Sequence, residues 1–342
     1  VDGLSGGVVY GREDRRDGDG GVYGLDASDG TERWRYGESH GMSSYTPPVV
    51  GDEGVYFGWA DDAVGSGNGE LYAVGFDGTE RWTREVGSVY DPPVVGDGVV
   101  YVGVDTGVIH RFGEDGDEHW RFEPSPDSRT YSPSVDGVND GVAYVTAAGN
   151  LYARDAENGG GVWEYDTEER VSEVHVDDGT AYGSVVGRVV AVAGGNEVWS
   201  HGVEATNPRM RGVAHGNVYF GHGRELRAVD AETGDAVWSE AVGEDYPVAL
   251  DDEAVYAGER GLRAFSPGGD ERWTTELDGS EIDGLTVGDG YVYAVTEEAV
   301  HRVEEGEAVG SVDVPNSNVL SHVATDGRVY VGNREGVYAL DA

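Results

Sequence analysis

Of the 342 residues none is Cys, none is Lys and none is Gln. The missing Cys rules out disulfides, thiolate metal sites and a cysteine nucleophile, but it does not decide the compartment. Without Lys the 23 basic residues are all Arg, and they face 66 acidic ones for a formal net charge of -43. No basic patch can form to hold nucleic acid, an anionic membrane surface or an acidic substrate by charge alone. No apolar run approaches the roughly 20 residues of a membrane helix, so no transmembrane segment is expected. There is no signal peptide, and the chain opens at Val1 rather than Met. Either an export segment has been removed or the boundaries are trimmed. No stretch shows a helical period.

What the chain has instead is a cadence. AVDAETGDAVW, residues 228–238, reads as a short strand, a tight Asp/Gly turn and a second strand starting near Trp. The Gly-to-Trp spacing of four recurs in Gly30/Trp34, Gly78/Trp82, Gly116/Trp120, Gly159/Trp163, Gly195/Trp199, Gly234/Trp238 and Gly269/Trp273. An eighth copy has Gly310 after Gly306 where Trp is due. A second marker, a small or β-branched residue followed by Tyr, stands at Tyr10, Tyr56, Tyr101, Tyr144, Tyr182, Tyr219, Tyr256, Tyr293 and Tyr330, and the last four steps are all 37 residues. Such regularity leaves no room for crossover helices. Four short alternating strands in about 40 residues, joined by Gly-rich turns, is the pattern of a β-propeller blade.

Low hydrophobicity with high charge usually signals disorder. Here the 20 Tyr and 8 Trp fall largely in register with the repeat, and disorder would not keep that register. At molar salt the Debye length shrinks to about 3 Å and screens like-charge repulsion, so the composition reads as a folded, acidic protein adapted to high salt, similar to those of extremely halophilic archaea.

The units LYAVGFDGTERW (71–82), LRAVDAETGDAVW (226–238) and VYVGNREGVYALDA (329–342) resemble the PQQ-like repeat of quinoprotein dehydrogenases and of the outer-membrane assembly lipoprotein BamB. The resemblance covers essentially the whole chain and implies an all-β propeller, one domain over residues 1–342. Eight four-stranded antiparallel blades are expected, with nine as the alternative. It also implies that the repeated Trp docks between adjacent blades, as suits a side chain that buries on the order of 200 Å² and offers one N–H. Blade counting leaves one hairpin over: with eight blades it must overlay or cap the closure, and with nine the first and last blades each lack a strand.

Function must be argued from a site rather than from the ring. The loops entering each innermost strand are expected to line a central funnel, and they carry Tyr45, Tyr90, Tyr131, Arg129, Arg170, Arg209, Arg211, Tyr246, Glu281, Asp283, Asn316, Asn318 and His322. Tyr45, Tyr90, Tyr131, Arg170, Arg209 and Tyr246 are the candidate ligand-binding set, able to grip a planar anionic ligand or a peptide. The competing reading is that they pack the rim. Trp34, Trp82, Trp120, Trp163, Trp199, Trp238 and Trp273 are read as structural. No catalytic residue, metal site or cofactor is assigned. The pairs His110/His119 and His215/His222 lack a third ligand, and the DGDGG run (17–21) lacks the spaced oxygens and closing Glu of a calcium loop. Two acidic insertions, 12–21 and 59–70, fall in equivalent hairpin loops.

The reading is a non-catalytic scaffold or binding protein that presents its loops to a protein or other cell-envelope partner, extracytoplasmic, at the cell surface or secreted. One alternative, implied by the resemblance, is a dehydrogenase dependent on pyrroloquinoline quinone (PQQ) and calcium, although family members that do this typically set an adjacent Cys pair against the quinone and this chain has none. Another is a structural surface subunit bridged by divalent cations.

Overall fold

Each repeat folds as an antiparallel four-strand meander because its four apolar-alternating segments are too short and too closely spaced for anything but hairpin connections. A computed structural model describes residues 3–13, 21–37, 44–60, 68–124, 133–166, 169–204, 208–244, 246–277, 281–288, 290–314, 319–325, 328–333 and 336–341. Eight sheets follow this plan, over 3–36, 44–85, 94–122, 134–165, 172–202, 209–241, 248–276 and 282–313; they are numbered here as blades 1 to 8. The surplus hairpin appears as a three-stranded sheet, 319–341, that follows blade 8. The stub expected at the start is the three-residue strand Gly3–Ser5, paired to Val8–Glu13.

The strands gather into two compact units, residues 2–172 with 194–196, and residues 173–193 with 197–342. In the first unit, blade 2 has a broken innermost strand: Ser44–Tyr45 and Val49–Val50 pair separately with Val55–Ala60. Pro47 and Pro48, which have no N–H to give the ladder, fall in the gap. In the second unit the blades are compact, and the three-stranded sheet packs on blade 8 through Tyr293, Val295, Val300, Val314, Val329 and Val331.

The repeated motif explains the packing. All nine marker tyrosines are buried. In each of blades 1 to 7 the marker Tyr meets its own blade's Trp at a ring separation of 5.8 to 5.9 Å. The residue between them on the third strand is Gly24, Ala73, Ala153, Ala228 or Ala264, small enough to let the rings touch; Arg111 is the exception in blade 3. Each indole then covers the turn glycine of the following repeat. A Cβ on Gly78 would lie 2.5 Å from Trp34, on Gly116 2.7 Å from Trp82, on Gly159 2.8 Å from Trp120, and on Gly195 3.1 Å from Trp163. In the second unit the same holds for Gly234 under Trp199, Gly269 under Trp238 and Gly306 under Trp273. The indole N–H completes the joint by donating to a turn carbonyl: Trp34 to Phe76, Trp82 to Glu114, Trp120 to Ala156, Trp199 to Ala231 and Trp238 to Pro267, at 2.7 to 3.0 Å.

The turns themselves are held by Asp. In Asp155–Gly159 and Asp230–Gly234 the Asp Oδ1 accepts two backbone N–H groups while its carbonyl accepts that of the Gly. The glycines have φ of +73° in both, where any other residue would be strained. One feature is absent from the sequence pattern. The residue before the Trp is a β-bulge, as the register shifts at Gly24/Leu25, Ala73/Val74 and Ala228/Val229 show. The bulge sharpens the local twist of the outermost strand.

Candidate functional site

Each blade has two unlike ends. The Gly-x-x-x-Trp turn lies at one, with the first hairpin turn. At the other lie the second hairpin turn and the loop entering the next innermost strand, so the described funnel residues Tyr45, Tyr90, Arg170, Arg209, Arg211 and Tyr246 belong to this second, loop-bearing end.

A glycine after the marker tyrosine positions those loops. Gly58, Gly103 and Gly221 sit two residues beyond Tyr56, Tyr101 and Tyr219, and a Cβ on them would meet Val89 at 2.2 Å, the Pro133 carbonyl at 1.8 Å and the Tyr246 hydroxyl at 2.8 Å. The missing side chain makes a slot into which the loop entering the next blade is pressed. Tyr246 fills its slot completely. It is buried, its hydroxyl donates to the Glu225 carbonyl at 2.5 Å, and burial pushes its phenol up to about 12.

The candidate residues are therefore not equivalent. The Tyr45 ring is buried edge-on to Phe57 and Tyr72, so it is a core side chain of blade 2. Tyr90 is 41% exposed, while its neighbour Val89 takes the slot. Arg170 is exposed, with its Cα 3.4 Å from where a Cβ on Gly149 would be. Arg209 is exposed and lies 3.6 Å from Glu173. Tyr131 and Arg129, and likewise Asn316 and Asn318, lie outside the described residues, as does the run 17–20. His322 lies on the strand Val319–Thr325. Arg211, beside Arg209, stacks on the Tyr246 ring at 5.3 Å. Within the second unit the structure thus brings together Arg209, Arg211, Tyr246 and Glu173.

His110, His119 and His215 have separate partners. His110 Nδ1 lies 2.8 Å from Glu118, whereas His119 contacts Arg111. Burial holds the His110 imidazole below its usual value against the opposing pull of Glu118. His215 bonds the Tyr219 hydroxyl and the Asp251 carbonyl. Asp283 is raised above the usual carboxylate range by partial burial, with Glu297 and Glu281 adding to it. On the innermost strand of blade 4, burial pushes Asp136 up to about 6 although Ser134 donates to it at 3.0 Å and Thr146 also bonds it. It is the extra residue of a bulge at Val135/Gly137.

A quinone and calcium centre needs several carboxylate and amide oxygens converging on one point. Among the described residues no three His, Asp or Glu side chains converge in that way, and the chain has no Cys to pair against the ring. The described residues do not fit that group. Two grooves remain. One of about 800 Å³ lies at the loop-bearing end of blade 7, lined by Val242, Glu259, Arg260, Arg263, Glu276 and Leu277. The other, about 600 Å³, lies at the turn end of blades 3 and 4 between Val94, Tyr101, Val138 and Asp155.

Meanders docked by repeated indoles define a β-propeller, and comparison with known proteins gives the family. Residues 18–261 and 183–282 match the family described as outer membrane protein assembly factor BamB, and the chain belongs to that PQQ-like repeat family. Among solved structures the chain is similar to the computationally designed Ika8 protein, with a TM-score of 0.66 and 17% identity over 85% of this chain and 94% of that one. It is also similar to BamB from Moraxella catarrhalis, with a TM-score of 0.59 and 15% identity over 85% and 92%. These identities speak for the fold alone. Among curated proteins it is 29% identical over 185 residues to the serine/threonine-protein kinase AfsK of Streptomyces griseus, covering 47% of this chain and 22% of the kinase. The AfsK of Streptomyces coelicolor is 30% identical over 114 residues, covering 31% and 14%. The chain thus spans less than a quarter of the length of these curated relatives. No helix among the described residues is long and apolar enough to cross a membrane.

Proposed function

We propose that the chain is a non-catalytic recognition propeller, one domain over 1–342, that uses the loop-bearing ends of its blades to hold a protein partner at the cell envelope. The observation that carries this is the contrast between blade ends. Repeated, mutually sealing side chains occupy the turn ends, whereas the exposed side chain at the loop-bearing ends changes from blade to blade, being Tyr90 at one, Arg170 at another and Arg209 at a third. Side chains that differ from blade to blade suit recognition better than construction. The name of the family, an assembly factor of an outer membrane, supports an envelope setting and a scaffold role. The kinases matched over part of their length support a recognition unit working beside another activity. This chain, having no Lys, cannot itself supply the lysine with which a protein kinase grips the nucleotide phosphates. The net charge of -43 further supports work at high salt, where repulsion is screened.

Capture from native extract at molar salt tests the reading. Wild-type protein should retain a partner, and the triple variant Tyr90→Ala, Arg170→Ala, Arg209→Ala should fold normally and lose it. Undiminished capture by that variant would move the surface elsewhere.

A further inference from the structure

The innermost strand of blade 6, Arg209–Ala214, begins with two arginines that flank buried Met210. A register shift between Met210 and Gly212 leaves Arg211 as the extra residue of a bulge, and Gly212 absorbs the bend at a φ of +146°. Bulges of this kind re-aim a single side chain. Here the guanidinium is set over the Tyr246 ring, 5.3 Å from its centre, and that ring is immobilised in the slot at Gly221. The Arg211 Nε is buried and has no hydrogen-bond partner among the described residues.

The other described arginines at this end of blade 6 are answered by acids. Arg227 meets Glu225 at 2.6 Å, Arg224 meets Glu244 at 3.5 Å and Glu259 at 3.9 Å, and Arg209 meets Glu173 at 3.6 Å. The second oxygen of Glu173 is committed to the Met210 N–H at 2.8 Å. No carboxylate among the described residues lies within 4 Å of the Arg211 guanidinium nitrogens, in a chain where acids outnumber arginines 66 to 23. A half-buried cation held flat by an aromatic ring, in a chain that could easily have paired it, is a preformed seat for an anion from outside.

We propose that Arg211, backed by Tyr246 and flanked by Arg209, receives one carboxylate from a partner polypeptide, an Asp or Glu side chain; this rests on reading the loop-bearing end as the partner surface. The planar guanidinium fork matches a planar carboxylate, and stacking on Tyr246 fixes the plane in which the pair forms.

The test follows the side-chain N–H resonances of ¹⁵N-arginine in the full chain at a constant salt of about 2 M potassium chloride. N-acetyl-glutamate amide, whose only charge is its side-chain carboxylate, is titrated against the N-acetyl-glutamine counterpart. The Arg211 resonance, assigned by its loss in Arg211→Gln, should move with the glutamate compound and saturate in the millimolar range, at least about tenfold below any response to the glutamine compound. Arg211→Lys should weaken binding about fivefold or more, because an ammonium cannot offer the fork. Unchanged strand amide spectra establish that both variants fold. No response up to about 50 mM, equal response to the two compounds, or an undiminished Arg209 response in Arg211→Gln overturns the proposal. Partner capture separates the two claims. If Arg211→Gln keeps its partner while the triple variant loses it, the loop surface stands and the carboxylate seat falls. If wild-type captures nothing yet Arg211 titrates as described, the seat stands and the macromolecular role falls.

Discussion

The turn end and the loop-bearing end of a blade are built from the same four strands and obey different rules. At the turn end seven Trp residues meet seven Tyr residues of their own blades and seven glycines of the following repeats, and one arrangement is reused throughout. At the loop-bearing end the same slot beyond the marker Tyr is filled by Val89 in one place, a Pro133 carbonyl in another and Tyr246 in a third. The uniform end holds the sheets together. The other end differs more between copies, and the stacking of Arg211 on Tyr246 belongs to it.

Breaking the uniform end should cost most. Trp82 is 7% exposed and is lodged between Tyr56 and the turn of Gly116, so Trp82→Ala is expected to lose about 3–5 kcal/mol in denaturant unfolding. Loss under about 1 kcal/mol would mean the indole is not the joint. The glycines sharpen the point. Gly30 and Gly116 have similar φ, +74° and +85°, but nothing lies within 4 Å of a Cβ on Gly30 whereas one on Gly116 meets Trp82 at 2.7 Å and Arg84 at 2.8 Å. Gly30→Ala should therefore cost about 1 kcal/mol of backbone strain, and Gly116→Ala about 1–3 kcal/mol more. Equal losses would show that the turn, and not the covering indole, requires glycine.

One effect depends on pH. Asp136 titrates from 3.8 in the unfolded chain to about 6 in the folded one, chiefly because burial disfavours its charge. Between those values the folded state holds more protons, so stability falls as pH rises through the window, and the full cost is present above it. Asp136→Asn should be more stable than wild type at pH 7 by up to about 2–3 kcal/mol, an advantage that vanishes toward pH 4. An advantage independent of pH would point to packing instead.

The strands, their meander order, the Trp joints and the Tyr register were legible in the sequence because they are local or depend on one motif meeting its next copy. The bulge before each Trp was not, since a bulge leaves no trace in a spacing count. The funnel residues were legible only as loop positions. Tyr45, Tyr90 and Tyr246 look alike in sequence, yet Tyr45 packs against Phe57 and Tyr72, Tyr246 fills the slot at Gly221, and Tyr90 remains exposed because Val89 takes the corresponding place. Which residue enters the slot depends on the preceding blade's glycine and on loop length together. Arg211 was visible as one more funnel arginine, but its stacking on Tyr246, with no ion pair among the described residues, is a three-dimensional fact.

The most direct test sets the two ends of single blades against each other. A photo-cross-linking residue is placed at Tyr90 or at exposed Asp117 for blade 3, and at Arg209 or exposed Glu232 for blade 6, and the protein is irradiated in native extract at high salt. The account predicts partner adducts from Tyr90 and Arg209 and none from Asp117 or Glu232. Adducts from the turn-end positions, or equal yields from both ends, would contradict it.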